Sequence, residues 1–297
     1  MFQKIKPYMM PVAITFGGLF HSFVRQFDFI IPYLIFTMLF LTFTNIEWKN
    51  MRFTKLHLWL VIIQLAGSIV VYSLIAPFNK VLAQGSLICI LAPTATAAPV
   101  ITGMLKGSVE SLTSYSLLSN VSVALFAPLI FYFTGDIATH SFGAGVLSIS
   151  KSVLLVILTP LLAVFLLRTI SRKITETISK FAMLSFFIWT VSLTIVTGKT
   201  VAFIIVQNKG HYFLEISLAV EAMVVCIVLF ASGKLLGKRY NDKIAGGQGL
   251  GQKNTVLAIW MAQTYLNPLA SIAPGIYILW QNLFNSWQIW RQEHVRN

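Results

Sequence analysis

Gly246-Gly247-Gln248-Gly249-Leu250-Gly251-Gln252-Lys253-Asn254 interrupts an otherwise apolar, membrane-length segment near the end of the 297-residue chain. Backbone freed from helical pairing finds no water in the hydrocarbon core of a bilayer, and a lysine there costs about 3 kcal/mol on insertion scales. A polar, glycine-rich break at that depth must therefore be enclosed by protein or line a cavity. About 150 residues earlier a second apolar segment is interrupted by Pro93-Thr94-Ala95-Thr96-Ala97-Ala98-Pro99. Two broken spans in corresponding halves of a chain point to the binding site of a secondary transporter.

Composition places the rest of the chain around these breaks. Hydrophobic residues make up 57% and charged residues only 10%, with a mean hydropathy of +0.78. A soluble domain carries roughly 25% charged residues, so the expected fold class is an all-α polytopic membrane protein. Apolar segments fall at about 7–24, 28–46, 57–78, 81–105, 112–134, 148–168, 181–206, 212–236, 244–267 and 270–290, which predicts ten transmembrane helices. Assigning the intervening Lys and Arg residues to alternate sides puts sixteen on one side and five on the other, with Lys253 left inside a span. The positive-inside rule then predicts a multi-pass cell-membrane protein with both termini in the cytoplasm. The formal charge of +13 does not suggest nucleic acid, because the basic residues sit at the ends of apolar segments and form no aromatic-interleaved stripe.

Ten helices divide into five plus five, and an odd-numbered half makes its second copy enter the membrane from the opposite side. The expected architecture is a single transporter domain over 1–297, built as two inverted repeats. Residues 1–140 would hold helices 1–5 and residues 141–297 helices 6–10, with a polar connection containing Asp136 and His140 between them. The two breaks then fall in the fourth helix of each half. Cys89 and Cys226 both lie in apolar segments and are read as small buried hydrophobes.

The candidate substrate- or ion-binding residues are the polar and helix-breaking groups at membrane depth. Pro93 and Pro99 each lack a backbone donor, which frees carbonyls for a ligand or for Thr94 and Thr96. Lys253 has three candidate roles: holding an anionic substrate, replacing a bound metal cation as a tethered charge, or carrying a proton. Gln248, Gly251, Gln252 and Asn254 flank it. Glu221, well inside the eighth apolar segment, is a candidate proton carrier or partner for Lys253. Asn120 and Gln263 offer further amides, although helix-to-helix hydrogen bonding is the usual employment of an intramembrane amide. The glycine run is not followed by the Lys-Ser/Thr of a phosphate loop, and the histidines show no metal-ligand spacing. No nucleophile-base pair forms a catalytic signature, so neither an enzyme nor a cofactor or metal is expected.

These residues resemble the bile acid:sodium symporter family. Pro93 to Gly107 is similar to the family's broken fourth helix. Gly249-Leu250-Gly251-Gln252-Lys253-Asn254-Thr255-Val256-Leu257-Ala258 fits its acidic-x-Gly-x-Gln-Asn-x-x-Leu-Ala frame with Gly251, Asn254, Leu257 and Ala258 retained. The resemblance implies a panel of helices 1, 2, 6 and 7, a core of helices 3–5 and 8–10, and substrate beside the crossing of helices 4 and 9. The departures matter equally. The family's acidic sodium ligand falls on Gly249, its glutamine on Lys253, and its Ser-Asn pair on Ala98-Pro99.

The function expected is secondary active transport of an organic anion by alternating access, the anion being bile-acid-like, pantothenate-like or a keto acid. Coupling to protons, or to no ion, is favoured over sodium. The alternative is a membrane receptor or scaffold that keeps the fold without translocating. The expected partners are the small organic anion and the lipid bilayer.

Overall fold

The computed structural model describes residues 2–46, 48–135, 141–181, 184–206 and 212–294. Asp136 and His140, expected in the connection between the halves, lie outside the described residues. Among the described residues fourteen α-helices follow one another: α1 (Phe2–Leu19), α2 (His21–Val24), α3 (Ile31–Phe43), α4 (Lys55–Ile75), α5 (Lys80–Leu91), α6 (Ala98–Met104), α7 (Val109–Thr134), α8 (Phe142–Ile170), α9 (Arg172–Ser179), α10 (Leu184–Val206), α11 (Tyr212–Arg239), α12 (Lys243–Gly251), α13 (Thr255–Tyr265) and α14 (Ile272–His294). Among the described residues six stretches are long and apolar enough to cross a membrane: His21–Phe43, α4, α7, α8, Leu184–Ile205 and α11. The chain is thus an all-α polytopic membrane protein. The apolar run at 81–105 is divided between α5 and α6, and the run at 244–267 between α12 and α13.

The chain separates into two compact units, one comprising Met1–Ile46 with Lys151–His211 and the other Glu47–Ser150 with Tyr212–Asn297. In the first, α10 packs on α1, α2 and α3. A side chain at Gly17 would collide with the backbone of Thr194, and this bare backbone lets α1 close on α10. α3 and α10 are in contact, and Ile31, Ile35 and Leu39 of α3 and Leu193 and Val196 of α10 are buried. Asp28 and Lys199 pair at 3.1 Å in a half-exposed position, a contact worth under about 1 kcal/mol.

In the second unit local signals set the helix starts. Thr54 and His57 form a capping box on α4, and the Asn79 side chain accepts from the amides of Val81 and Leu82 at the start of α5. The core of this unit gathers Leu60, Tyr115, Phe230, Leu250 and Tyr277, with Cys89 and Cys226 as free, buried thiols.

One expectation is corrected. The glycine-rich stretch from Gly246 to Asn254 is not open along its length, because α12 runs helically through Gly251 and only Gln252, Lys253 and Asn254 leave the helix. The glycines serve close packing. Gly246 meets the backbone of Gly233 and Gly237 on α11, Gly249 meets the Tyr115 ring, and Gly251 meets the Phe230 ring. A glycine in a sequence reads alike whether it breaks a helix or thins one for a neighbour. In the first break the helix is lost from Ala92 to Ala97, and Pro99 belongs to the first turn of α6, where a missing amide costs nothing.

Candidate functional site

α5 stops at Leu91 because Ala92 turns to ψ 138° ahead of Pro93, the extended conformation that a following proline imposes. Its last carbonyls then lack the amides of a next turn and carry the negative end of the helix dipole. Lys253 supplies side-chain N–H donors there. The residue is 1% exposed, and its ammonium donates to the carbonyl oxygens of Ile90 at 2.7 Å and Ala92 at 2.9 Å. The Gln64 amide nitrogen adds bonds to Leu91 at 2.7 Å and Ala92 at 3.0 Å.

The two breaks pair with each other directly. Thr94 and Lys253 form an isolated antiparallel bridge. Its flanking bonds run from the Ala95 amide to the Gln252 carbonyl at 2.9 Å and from the Asn254 amide to the Pro93 carbonyl at 2.8 Å. The Thr94 hydroxyl donates to the Gly249 carbonyl at 3.0 Å, and the Thr94 amide donates to the Ser119 hydroxyl at 3.3 Å. From α14 the Gln281 side-chain oxygen accepts the Lys253 amide at 2.9 Å, and the Tyr277 hydroxyl donates to the Gly251 carbonyl at 2.7 Å. Buried backbone polar groups left without partners cost several kcal/mol each in hydrocarbon. At this crossing they are satisfied by one another and by side chains from α4, α7 and α14.

Of the residues singled out in the sequence, Pro93, Thr94, Gly251, Gln252, Lys253 and Asn254 are brought together here. Thr96 stands half-buried in the first break, and Pro99 lies one turn further on. Asn254 caps α13 by accepting the Leu257 amide at 3.3 Å, while its amide nitrogen and the side-chain oxygen of Gln252 are buried without a partner. Gln248 is directed away from the crossing, donating to Asn285 on α14 at 3.0 Å. Asn120 bonds back to the Ser116 carbonyl of its own helix at 2.8 Å. Gln263 lies in α13, nearly three helical turns beyond Lys253.

Glu221 is not the partner of Lys253. Its carboxylate oxygen Oε1 accepts the hydroxyl of Ser86 on α5. Its other oxygen is buried without a partner. The Glu221 side chain lines a groove of about 360 Å³ with Ile75, Leu82, Ile216, Ser217 and Val220. Ser86 and Ile90 lie one helical turn apart on α5, so the same helix touches Glu221 through one residue and Lys253 through the other.

Several contributors escaped the sequence reading. Gln64 is fully buried and its side-chain oxygen accepts from Tyr115 and Ser119, each at 2.9 Å. A lone amide within Leu60-Val61-Ile62-Ile63-Gln64-Leu65 was the available signal. Tyr115 also matters by position: a Cβ at Gly249 would lie 2.7 Å from its ring, so the ring occupies the space a side chain there would need.

No curated protein matches the chain at a significant level. Residues 31–208, more than half of the sequence, match the Sodium Bile acid symporter family; the matched region contains the first break and ends before the second. With that match, the all-helical fold and the membrane-length apolar helices, the chain belongs to the sodium bile acid symporter family, whose members are membrane transporters.

Proposed function

We propose that the chain is a secondary active transporter of a small or amphipathic organic anion, working by alternating access with a built-in cation in place of sodium. The observation that carries this reading is the Lys253 ammonium held on the Ile90 and Ala92 carbonyls at the crossing of the two breaks. Family resemblance puts a glutamine at Lys253 and a sodium-binding carboxylate at Gly249. In this chain the room beside Gly249 is filled by the Tyr115 ring. Exchange of a carboxylate and an amide for a hydrogen and an ammonium moves the local charge by about two units toward positive, which opposes a metal cation and favours an anion nearby.

The substrate carboxylate has natural donors in the buried, unpartnered amide nitrogen of Asn254 and the N-terminal end of α13. The division into two compact units supports the panel and core reading. The first unit spans 1–46 and 151–211, which covers most of the segments expected as helices 1, 2, 6 and 7, and the second spans 47–150 and 212–297. These units are the natural moving parts of alternating access. Bile-acid-like, pantothenate-like and keto acids are the substrate classes to test. Glu221, with one oxygen on Ser86, is the residue we assign to proton coupling if a proton accompanies the anion.

The deciding experiment is uptake of labelled organic anions by proteoliposomes with sodium replaced by choline. We expect the rate to change by less than about twofold. A steep sodium requirement would overturn the built-in cation.

A further inference from the structure

A second charged feature lies far along α11 from Glu221, where α11, α12 and α14 come together. Lys234 is half-buried. Its methylene chain crosses directly over Gly247, where a Cβ would lie 2.6 Å from Cγ, and its ammonium stands 4.9 Å from the centroid of the Phe284 ring. Arg291, just under two turns along α14, places its guanidinium carbon 5.6 Å from the Trp287 ring centroid. The Phe284 and Trp287 rings are themselves 5.5 Å apart. Lys243, the first residue of α12, lies one helical turn before Gly247 and packs its backbone against Gly237 of α11.

Lys234 and Arg291 thus stand on an aromatic shelf, with Lys243 one helical turn from the glycine that Lys234 crosses. Among the described side chains no carboxylate pairs with any of them, the ion pairs being Arg172 with Glu176 and Lys199 with Asp28. Asp242, the residue at the N-cap of α12, makes no side-chain bond to that helix. Mutual repulsion would spread long, flexible side chains apart unless something compensated it. Cation–π contact offsets part of the repulsion, about 0.5–2 kcal/mol for each pair. An anion of charge one or two would offset the remainder. The surroundings narrow its chemistry, because Leu235, Leu283 and Trp287 beside the cluster are 73%, 61% and 47% exposed. That is a surface for acyl chains.

We propose that Lys234, Lys243 and Arg291 seat the phosphate of an anionic phospholipid, with its acyl chains lying along Leu235, Leu283 and Trp287. The site is separate from the crossing and does not depend on how transport is driven. Basic pockets between membrane helices bind acidic headgroups in this way, and each Lys or Arg near the surface is worth about 1 kcal/mol, or roughly fivefold in affinity.

Native mass spectrometry of the purified full-length protein in neutral detergent tests the site, with phosphatidylglycerol and phosphatidylcholine added in equal amounts. The wild type should retain phosphatidylglycerol preferentially. Lys234→Gln and Arg291→Gln should each lower that retention by about fivefold, while Lys55→Gln, which removes one charge elsewhere on the same unit, should leave it unchanged. Equal retention of the two lipids by the wild type would overturn the proposal even if the variants failed to fold. An undiminished preference in Lys234→Gln and Arg291→Gln would overturn it too. Displacement of phosphatidylglycerol by millimolar inorganic phosphate at constant ionic strength would assign the three cations to a soluble anion and refute the lipid seat.

Discussion

Lys253 is 1% exposed and holds two carbonyls that the end of α5 leaves without amide donors. Its charge and its hydrogen bonding can be separated. Lys253→Gln keeps a donor without the charge, and Lys253→Met removes both. If the built-in cation is what transport requires, both variants should lose at least about 90% of uptake, corresponding to roughly 1.4 kcal/mol or more. Uptake at near wild-type rate by Lys253→Gln would show that the donor alone suffices. Loss of uptake with retained ligand binding would separate translocation from the receptor alternative. In stability, Lys253→Met leaves the Ile90 carbonyl without a donor, whereas Ala92 keeps Gln64; about 1–3 kcal/mol is expected to be lost in thermal unfolding. Glu221→Gln probes the other intramembrane charge. Under proton coupling it should abolish uptake driven by a pH gradient and spare exchange of labelled for unlabelled anion, because exchange needs no net proton movement.

Among the elements, α12 depends on its glycines for closeness to its neighbours. A methyl group at Gly251 would fall on the Phe230 ring, and one at Gly246 on the backbone of Gly233. We expect Gly251→Ala to cost about 1–3 kcal/mol, as overpacking does. Gly275→Ala in α14, where nothing lies within 4 Å of the added carbon, should stabilise by about 0.4–1 kcal/mol through the unfolded chain. Thermal melts of both in the same detergent check the opposite signs. This pair also shows what could be read from the sequence. Lys253 and Pro93 announced the breaks because charge and proline are out of place among apolar residues. The extent of the second break was not legible, since the glycines of α12 suit an unwound segment and a tightly packed helix equally. The network around the crossing was hidden for another reason. Gln64, Tyr115, Ser119 and Gln281 belong to α4, α7 and α14, and each looks like an ordinary polar residue until the fold joins them.

For the whole molecule, the membrane class was legible from composition alone, because no soluble fold hides so few charges among so many apolar residues. The separation into two compact units was not a matter of composition. It follows from which helices pack, as where α10 closes on α1 across Gly17 and Thr194. Transport at this scale is a matter of thermodynamic linkage. A sodium ion that binds with an organic anion travels with it and departs with it. Lys253 is fixed by a covalent chain and by two carbonyls, so it has no concentration outside the protein and no gradient to spend. On the proposed reading, a monovalent anion carried with neither sodium nor a proton would cross as a net negative charge. The membrane potential contributes about 2.3 kcal/mol per 100 mV to that movement, and an interior-negative potential directs it outward. Proteoliposomes clamped with potassium and valinomycin would reveal this as anion flux that reverses direction with the sign of the voltage. If a proton on Glu221 cancels the charge, the same vesicles should show flux indifferent to voltage and responsive to pH. The ammonium on the end of α5 thus bears on whether this transporter works as an importer or as an electrically driven exit.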